Sequence, residues 1–165
     1  MGKNKLGFVW DVEEIGVDGL VRARYSVENI LPDVGRDYLM AAGLSGGSQI
    51  SSWNIGLYEN VRVPAAVDTM VTLLADAGEI VAYSGTTRLA MTADVIAGGV
   101  FSNSVTKAEF TFTAAKTVRG GFITSNPVRG NTSGILLSAV QLPTAKTLAI
   151  GETLRCTAGL VFYTS

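Results

Sequence analysis

Lys107–Asn126, KAEFTFTAAKTVRGGFITSN, is the stretch whose reading decides the fold class. Ala108, Phe110 and Phe112 fall on one face, and Lys107, Glu109, Thr111 and Thr113 on the other. That period of two is the mark of a half-buried β-strand. Ala114-Ala115-Lys116 reads as a short connection, and Thr117-Val118-Arg119 opens a second strand that resumes at Phe122-Ile123. The pattern predicts a strand, a tight turn and a return strand. Gly120-Gly121 interrupts the second strand, as a bulge or a close backbone approach does.

The same alternation recurs on either side. Towards the N-terminus, Leu6, Phe8, Trp10 and Val12 form a strand. Gly16-Val17-Asp18-Gly19 turns it into a return strand with Val21, Ala23, Tyr25 and Val27 on one face, a hairpin with a loop longer than two residues. Pro32 then extends Leu31, and Asp33 is the expected N-cap of a short helix, Val34 to Gly43, with Val34, Tyr38 and Ala41 or Ala42 inward and Gly43 as terminator. Trp53, Ile55 and Leu57 make another strand. Val67, Met70, Val71 and Leu74 sit at helical spacing in Ala65–Ala75, with Pro64 near the start and Gly78 at the close; Val67, Thr69, Val71 and Leu73 also fit a strand.

Towards the C-terminus, Ile80–Tyr83, Thr86–Thr92 and Val100-Phe101 are short apolar or alternating segments. Asn126–Gly134 is a loop dense in Asn, Gly and Pro. Ile135–Leu142 reads as a strand buried on both faces, broken by Pro143. The longest clean alternation closes the chain, with Leu154, Cys156, Ala158, Leu160 and Phe162 inward. Eight or more short strands with two short helices predict a single all-β domain, mainly antiparallel, a jelly-roll-like β-sandwich over residues 1–165.

Composition narrows the chemistry. The 165 residues carry a net charge of −1, one cysteine and no histidine. A single thiol makes no internal disulfide. Without histidine, His-containing zinc sites and His-based nucleophile systems are excluded. Arg22, Arg24, Arg119 and Arg129 form no run, so no nucleic-acid partner is expected. No apolar stretch approaches the ~20 residues of a membrane span, so no membrane partner is expected, and Leu6–Trp10 is too short for the apolar part of a signal peptide. The chain is therefore expected to stay in the compartment where it is made.

Asp11, Glu13 and Asp18 are the carboxylates nearest to a Ca²⁺ set, but their spacing matches no dedicated loop and hairpin ends are ordinarily acidic. None of the Gly-Gly pairs leads into a phosphate-binding helix. No cofactor and no enzymatic activity are expected. Charged residues are only 16% of the chain, against roughly 25% in soluble domains. Either copies or a partner cover much of the surface, or Thr, Ser, Asn and Gly supply its polarity.

Several segments together resemble a family: NILPDVGRDYLMAAGLSGG at 29–47, WNIGLYEN at 53–60, Asp68-Thr69, YSGTTR at 83–88, FSNSVTKAEFTFTAAKTVRGGFITSN at 101–126, GILLSAVQL at 134–142 and GETLRCTAGLVF at 151–162. The chain looks like the small virion proteins of tailed bacteriophages, and within them resembles the capsid cement or decoration proteins of short-tailed phages. The resemblance implies a protein made in the host bacterial cytoplasm and carried on the virion. There it binds the outer surface of the major capsid protein shell, ties neighbouring subunits together, and self-associates as a dimer or trimer. A tail or head–tail connector part, and a carbohydrate-binding sandwich for host attachment, are the other expectations. The expected interface residues are Lys3 and Lys5 on a flexible arm of residues 1–6, Tyr58 and Tyr83 exposed at strand ends, and Arg129. Trp10 and Trp53 alternate with aliphatic residues and are expected as core anchors.

Overall fold

The alternation at the C-terminus builds the central strand of the protein. The computed structural model describes residues 5–94, 96 and 98–163. Its elements run β1 (Lys5–Ile15), β2 (Val21–Glu28), α1 (Asp33–Leu44), β3 (Trp53–Tyr58), α2 (Met70–Ala77), β4 (Glu79–Ile80), β5 (Leu89–Met91), β6 (Val100–Ser102), β7 (Ala108–Thr111), β8 (Lys116–Thr124), β9 (Leu136–Leu148) and β10 (Thr153–Tyr163). β10 pairs with β1 from Lys5 opposite Tyr163 to Ile15 opposite Thr153. β1 also pairs with β2, the expected hairpin. The other edge of β10 receives β6 and β7 end to end. The second sheet has the order β4-β3-β8-β9, with β5 beside β4 on the same edge of β3. All these pairings are antiparallel, and the two five-stranded sheets form the expected β-sandwich.

Asn103 fills the gap between β6 and β7. Its Oδ1 accepts from the Ala158 N–H at 2.7 Å, and its Nδ2 donates to the Cys156 carbonyl at 3.2 Å. One buried side chain thus replaces the strand that is missing at that point of the β10 edge.

Between the sheets lies the main core. Phe8, Trp10 and Val12 of β1, Phe110 of β7, and Leu154, Cys156 and Ala158 of β10 meet Ile55, Leu57, Val118, Ile123, Leu137 and Val140. The expected inward face of Ala108, Phe110 and Phe112 is buried. Trp10 and Trp53 are core anchors: the Trp10 indole N–H donates across the sandwich to Ser138 Oγ at 3.3 Å, and Trp53 stands edge-on to Tyr38.

A second apolar layer explains why β3 and the first part of β9 are buried at successive positions. Tyr58, Phe122, Leu136 and Ala139 point away from the main core and pack against Met70, Leu73 and Ala77 of α2 and Val34 of α1. One sheet is covered on both faces, which removes the polar face from its sequence.

That covering corrects the reading of Lys107–Asn126. The two strands are not a hairpin: β7 pairs with β10, whereas β8 pairs with β3 and β9. The link from Phe112 to Ala115 crosses between the sheets. Phe112 exchanges hydrogen bonds with the Gly151–Glu152 turn, and Thr113 donates to Ala82. The half-polar strand belongs to the sheet with an open face, and the doubly apolar strand to the covered one.

Gly120 and Gly121 behave as expected, one on each face. The register shifts between Val118 and Gly120. A Cβ on Gly120 would lie 2.1 Å from Tyr58 Cζ on the helix side, and one on Gly121 would lie 2.8 Å from the Trp10 ring on the core side. Pro143 does not end its strand. β9 runs on to Leu148, and residues 142–145 bulge out opposite Arg119 alone. A residue without an N–H is tolerated there because no ladder bond is required of it.

Both helices are shifted from expectation. Pro32 precedes α1, and Asp33 is its first residue, pairing with Arg36 at 2.9 Å instead of capping. Its tightest contact is Gly35, whose absent Cβ admits the Leu136 and Leu137 carbonyls. The chain leaves α1 through Gly46, in the left-handed region, and not at Gly43. α2 begins at Met70, capped by Thr69 and Thr72 in a reciprocal box. It buries Met70, Leu73 and Ala77, leaving Val67 and Val71 exposed. Gly78 closes it with a positive φ. No helix among the described residues is long and apolar enough to cross a membrane.

Candidate functional site

The expected interface residues do not share one place. Lys3 lies outside the described residues. Lys5 and Leu6 belong to β1, opposite Tyr163 and Phe162, so the expected arm of residues 1–6 does not extend through them. Tyr58 and Tyr83 are not exposed: they are 0% and 2% accessible. Tyr58 ends β3 on the helix-covered face, its single O–H donating to Val140 O at 2.7 Å with Arg62 O 3.1 Å away as a second acceptor. Burial pushes its phenol well above the ordinary value, against the pull of Arg62.

Tyr83 and Arg129 do come together. The Arg129 guanidinium lies 3.7 Å from the Tyr83 ring centre. Its nitrogens donate to the carbonyls of Val81, Ser84 and Thr87. Burial raises the Tyr83 phenol, and Arg129 opposes that shift. With that ring face occupied and Tyr58 buried, neither tyrosine offers a free face for stacking a sugar.

Beneath this pair sits a buried ion pair that sequence reasoning missed. Arg88 makes a two-pronged contact with Glu79, at 2.7 and 2.8 Å, and both side chains are enclosed. Its remaining donors reach Asn126 O and Asn131 O at 2.9 Å each. Glu79 also accepts from the Gly130 N–H at 2.7 Å. Two backbone segments, 81–88 and 126–131, are thereby bound to one fork of charge. Val81 and Val128 remain half-exposed on them. Arg88 falls within the YSGTTR segment, yet nothing local in that segment distinguishes a buried arginine from a surface one.

A second loop is built alike. Asp68, 2% accessible, accepts from Arg62 at 2.6 Å, the Ala65 N–H at 2.7 Å and Thr72 at 3.2 Å. Val61, Val63 and Val67 face outward from this loop, at 65 to 77% accessibility. In both loops the polar groups bind the protein's own backbone while apolar side chains are presented to solvent.

The open face of the first sheet is polar. Glu13 is the hub, contacting Arg24 at 2.9 Å, Arg155 at 3.1 Å and Lys107 at 3.4 Å, and Arg155 continues to Glu109 at 2.7 Å. Burial works against ionisation of Glu13, but the bonds from Arg155 and Lys107 outweigh it and hold the carboxyl below its ordinary range. A shallow trough of about 630 Å³ runs beside it, lined by Asp11, Arg24, Ser26, Ser104 and Thr157 among others. Asp18 instead accepts from the Leu20 N–H within the hairpin loop, and Glu13 is held by Arg24, Arg155 and Lys107. Among the described residues no three His, Cys, Asp or Glu side chains gather as a metal site. Cys156 is inward and fully buried, and burial pushes its thiol up to about 12.

Asp94 organises the loop before β7. It accepts from Ser104 at 2.6 Å, Ser102 at 3.2 Å and the Val105 N–H at 3.0 Å. Those bonds, the Ser104 hydroxyl first, hold its carboxyl low. Val105 projects from the loop at 84% accessibility. No protein-family model matches the chain, and no curated protein sequence matches it either.

Proposed function

We propose that this chain is a structural binding protein of a phage virion, a cement protein that docks on the outer face of the capsid shell and joins neighbouring subunits. The observation that carries the reading is the construction of the loops. Arg88 with Glu79, Arg129 with Tyr83, and Asp68 with Arg62 direct their contacts to the chain itself. The valines left outward, at 61, 63, 67, 81 and 128, then stand on backbone that loses little freedom on docking. Such a surface is suited to another protein, because apolar contact on a preorganised frame rewards shape complementarity. The resemblance to phage cement proteins supplies the partner, the major capsid protein. Repetition over a shell lets each contact be modest while the sum is large.

The test is the number and location of this chain in purified particles by cryo-electron microscopy. A cement role requires copies on the order of hundreds, spread over the shell with its symmetry. About a dozen copies at one vertex or along the tail would overturn the reading in favour of a connector or tail part.

A further inference from the structure

The first sheet ends in an edge that complements itself. β2 pairs with β1 alone and stands last in its sheet. The N–H of Asn29 donates to Phe8 O at 3.1 Å. From there the register runs unbroken through Val9 opposite Glu28 and Trp10 opposite Val27 to Glu14 opposite Ala23. Bonded and non-bonded pairs alternate in an antiparallel ladder. Ala23, Tyr25 and Val27 therefore exchange bonds with β1, while Arg24, Ser26 and Glu28 turn their N–H and C=O groups outward. No loop or side-chain hydrogen bond reaches those groups among the described residues. The bulge of β2 falls at Arg22, where Ile15 faces Val21 and Glu14 faces Ala23, so it does not blunt this stretch. β2 itself contains neither a proline nor a lysine; Lys146 of β9 packs on the Tyr25 ring, its Nζ 3.3 Å from the ring centre.

We propose that Arg24–Glu28 is a dimer seam: β2 pairs antiparallel with β2 of a second copy about a two-fold axis at Ser26. This register uses every outward group. Arg24 stands opposite the partner's Glu28, Ser26 opposite the partner's Ser26, and each such pair exchanges two backbone bonds. Charge complements it. The Arg24 side chain bonds Glu13 at 2.9 Å through Nε yet stays 73% accessible, which leaves its terminal nitrogens for a second carboxylate; Glu28 is exposed, and opposite charges directly across strands attract. On the other face Tyr25 meets the partner's Val27, two side chains only half-buried in a single copy. A two-fold axis at Tyr25 would instead set Glu28 against the bulged Arg22 and waste the outward groups there. The seam joins two first sheets into one continuous sheet, and it does not depend on the cement reading.

Sedimentation over a concentration series reads the mass, which is expected to be twice 17.3 kDa. Ser26→Pro keeps the monomer fold, because the lost N–H faces outward, and abolishes the dimer. Glu28→Arg sets like charges across the seam and weakens the dimer about tenfold or more; adding Arg24→Glu restores it. Ser26→Cys places two thiols across a bonded pair, about 5.5 Å between Cα atoms, within disulfide reach. Mild oxidation then gives a covalent dimer, whereas Thr86→Cys, exposed but off the edge, gives none. A chain that stays monomeric and does not cross-link through the Ser26→Cys thiol overturns the proposal. So does a dimer that survives Ser26→Pro. If Ser26→Pro fails to fold, the Ser26→Cys cross-link decides: a covalent dimer supports the seam, and its absence refutes it.

Discussion

Gly120→Ala tests how the doubly buried sheet is packed. The new methyl would stand 2.1 Å from Tyr58 Cζ, 2.2 Å from its hydroxyl and 2.2 Å from the Val140 carbonyl. One of those neighbours is backbone of β9, so rotating the tyrosine alone does not relieve it. Overpacking of this kind costs about 1–3 kcal/mol. Displacing Tyr58 also breaks its bond to Val140 O, and a buried hydroxyl left unpaired adds about 1–3 kcal/mol. The sum, roughly 2–6 kcal/mol, is a large part of the ~5–15 kcal/mol that holds a domain together. In urea, at a slope of about 2 kcal/mol per M, the midpoint falls by about 1–3 M. Two controls separate the causes. Tyr58→Phe loses only the hydroxyl bond and shifts the midpoint less. Gly43→Ala, in α1 with nothing within 4 Å of the added carbon, stabilises by about 0.5–1 kcal/mol. If Gly120→Ala shifts the midpoint no further than Tyr58→Phe, the close ring approach is not what requires the glycine.

Arg88→Met leaves the enclosed Glu79 carboxylate without its cation, and the expected loss is about 3–5 kcal/mol, with hydrogen exchange fastest in residues 126–131. Asn103→Ala strips the Ala158 N–H of its acceptor inside the sheet and lowers unfolding free energy by about 1–3 kcal/mol, measured by the same urea titration. Glu13 has a folded-state pKa below its unfolded value of 4.5. Its contribution to stability is therefore present above pH 4.5 and is lost as pH falls through the lower, folded value. Glu13→Gln should flatten that acid limb of the stability profile, and an unchanged acid limb would refute the assignment. The Cys156 thiol, pushed to about 12, should resist a thiol reagent at pH 8 in the native state and react at the rate of global unfolding; fast labelling of native protein would contradict its burial.

The amino-acid sequence by itself determined the strands that have one wet face. In β1, β2, β7 and β10 alternate residues meet different media, so period two is written directly in Trp10-Asp11-Val12-Glu13 and Leu154–Leu160. It also marked Gly120-Gly121 as a bulge or a close backbone approach, because glycine inside a strand packs nothing. Tertiary structure alone decided the rest. β3, β8 and β9 are apolar on both faces, and such a run does not say which sheet it joins; α1 and α2 decide that by covering one of them. The same covering buries Tyr58, which the position at a strand end had placed in solvent. It also sets α2 so that Met70, Leu73 and Ala77 face inward and Val71 outward. Arg88 and Asn103 look like surface residues in sequence because local pattern does not register a charge or amide whose partners lie up to 55 positions away; Asp68 has its partners within six positions, but its burial depends on how that loop folds. Their burial is favourable only once every partner is in place, and that condition exists only in the folded chain. Lys107–Asn126 shows the division most plainly: its two strands are legible residue by residue, but the sheets they belong to are set by what packs against each face.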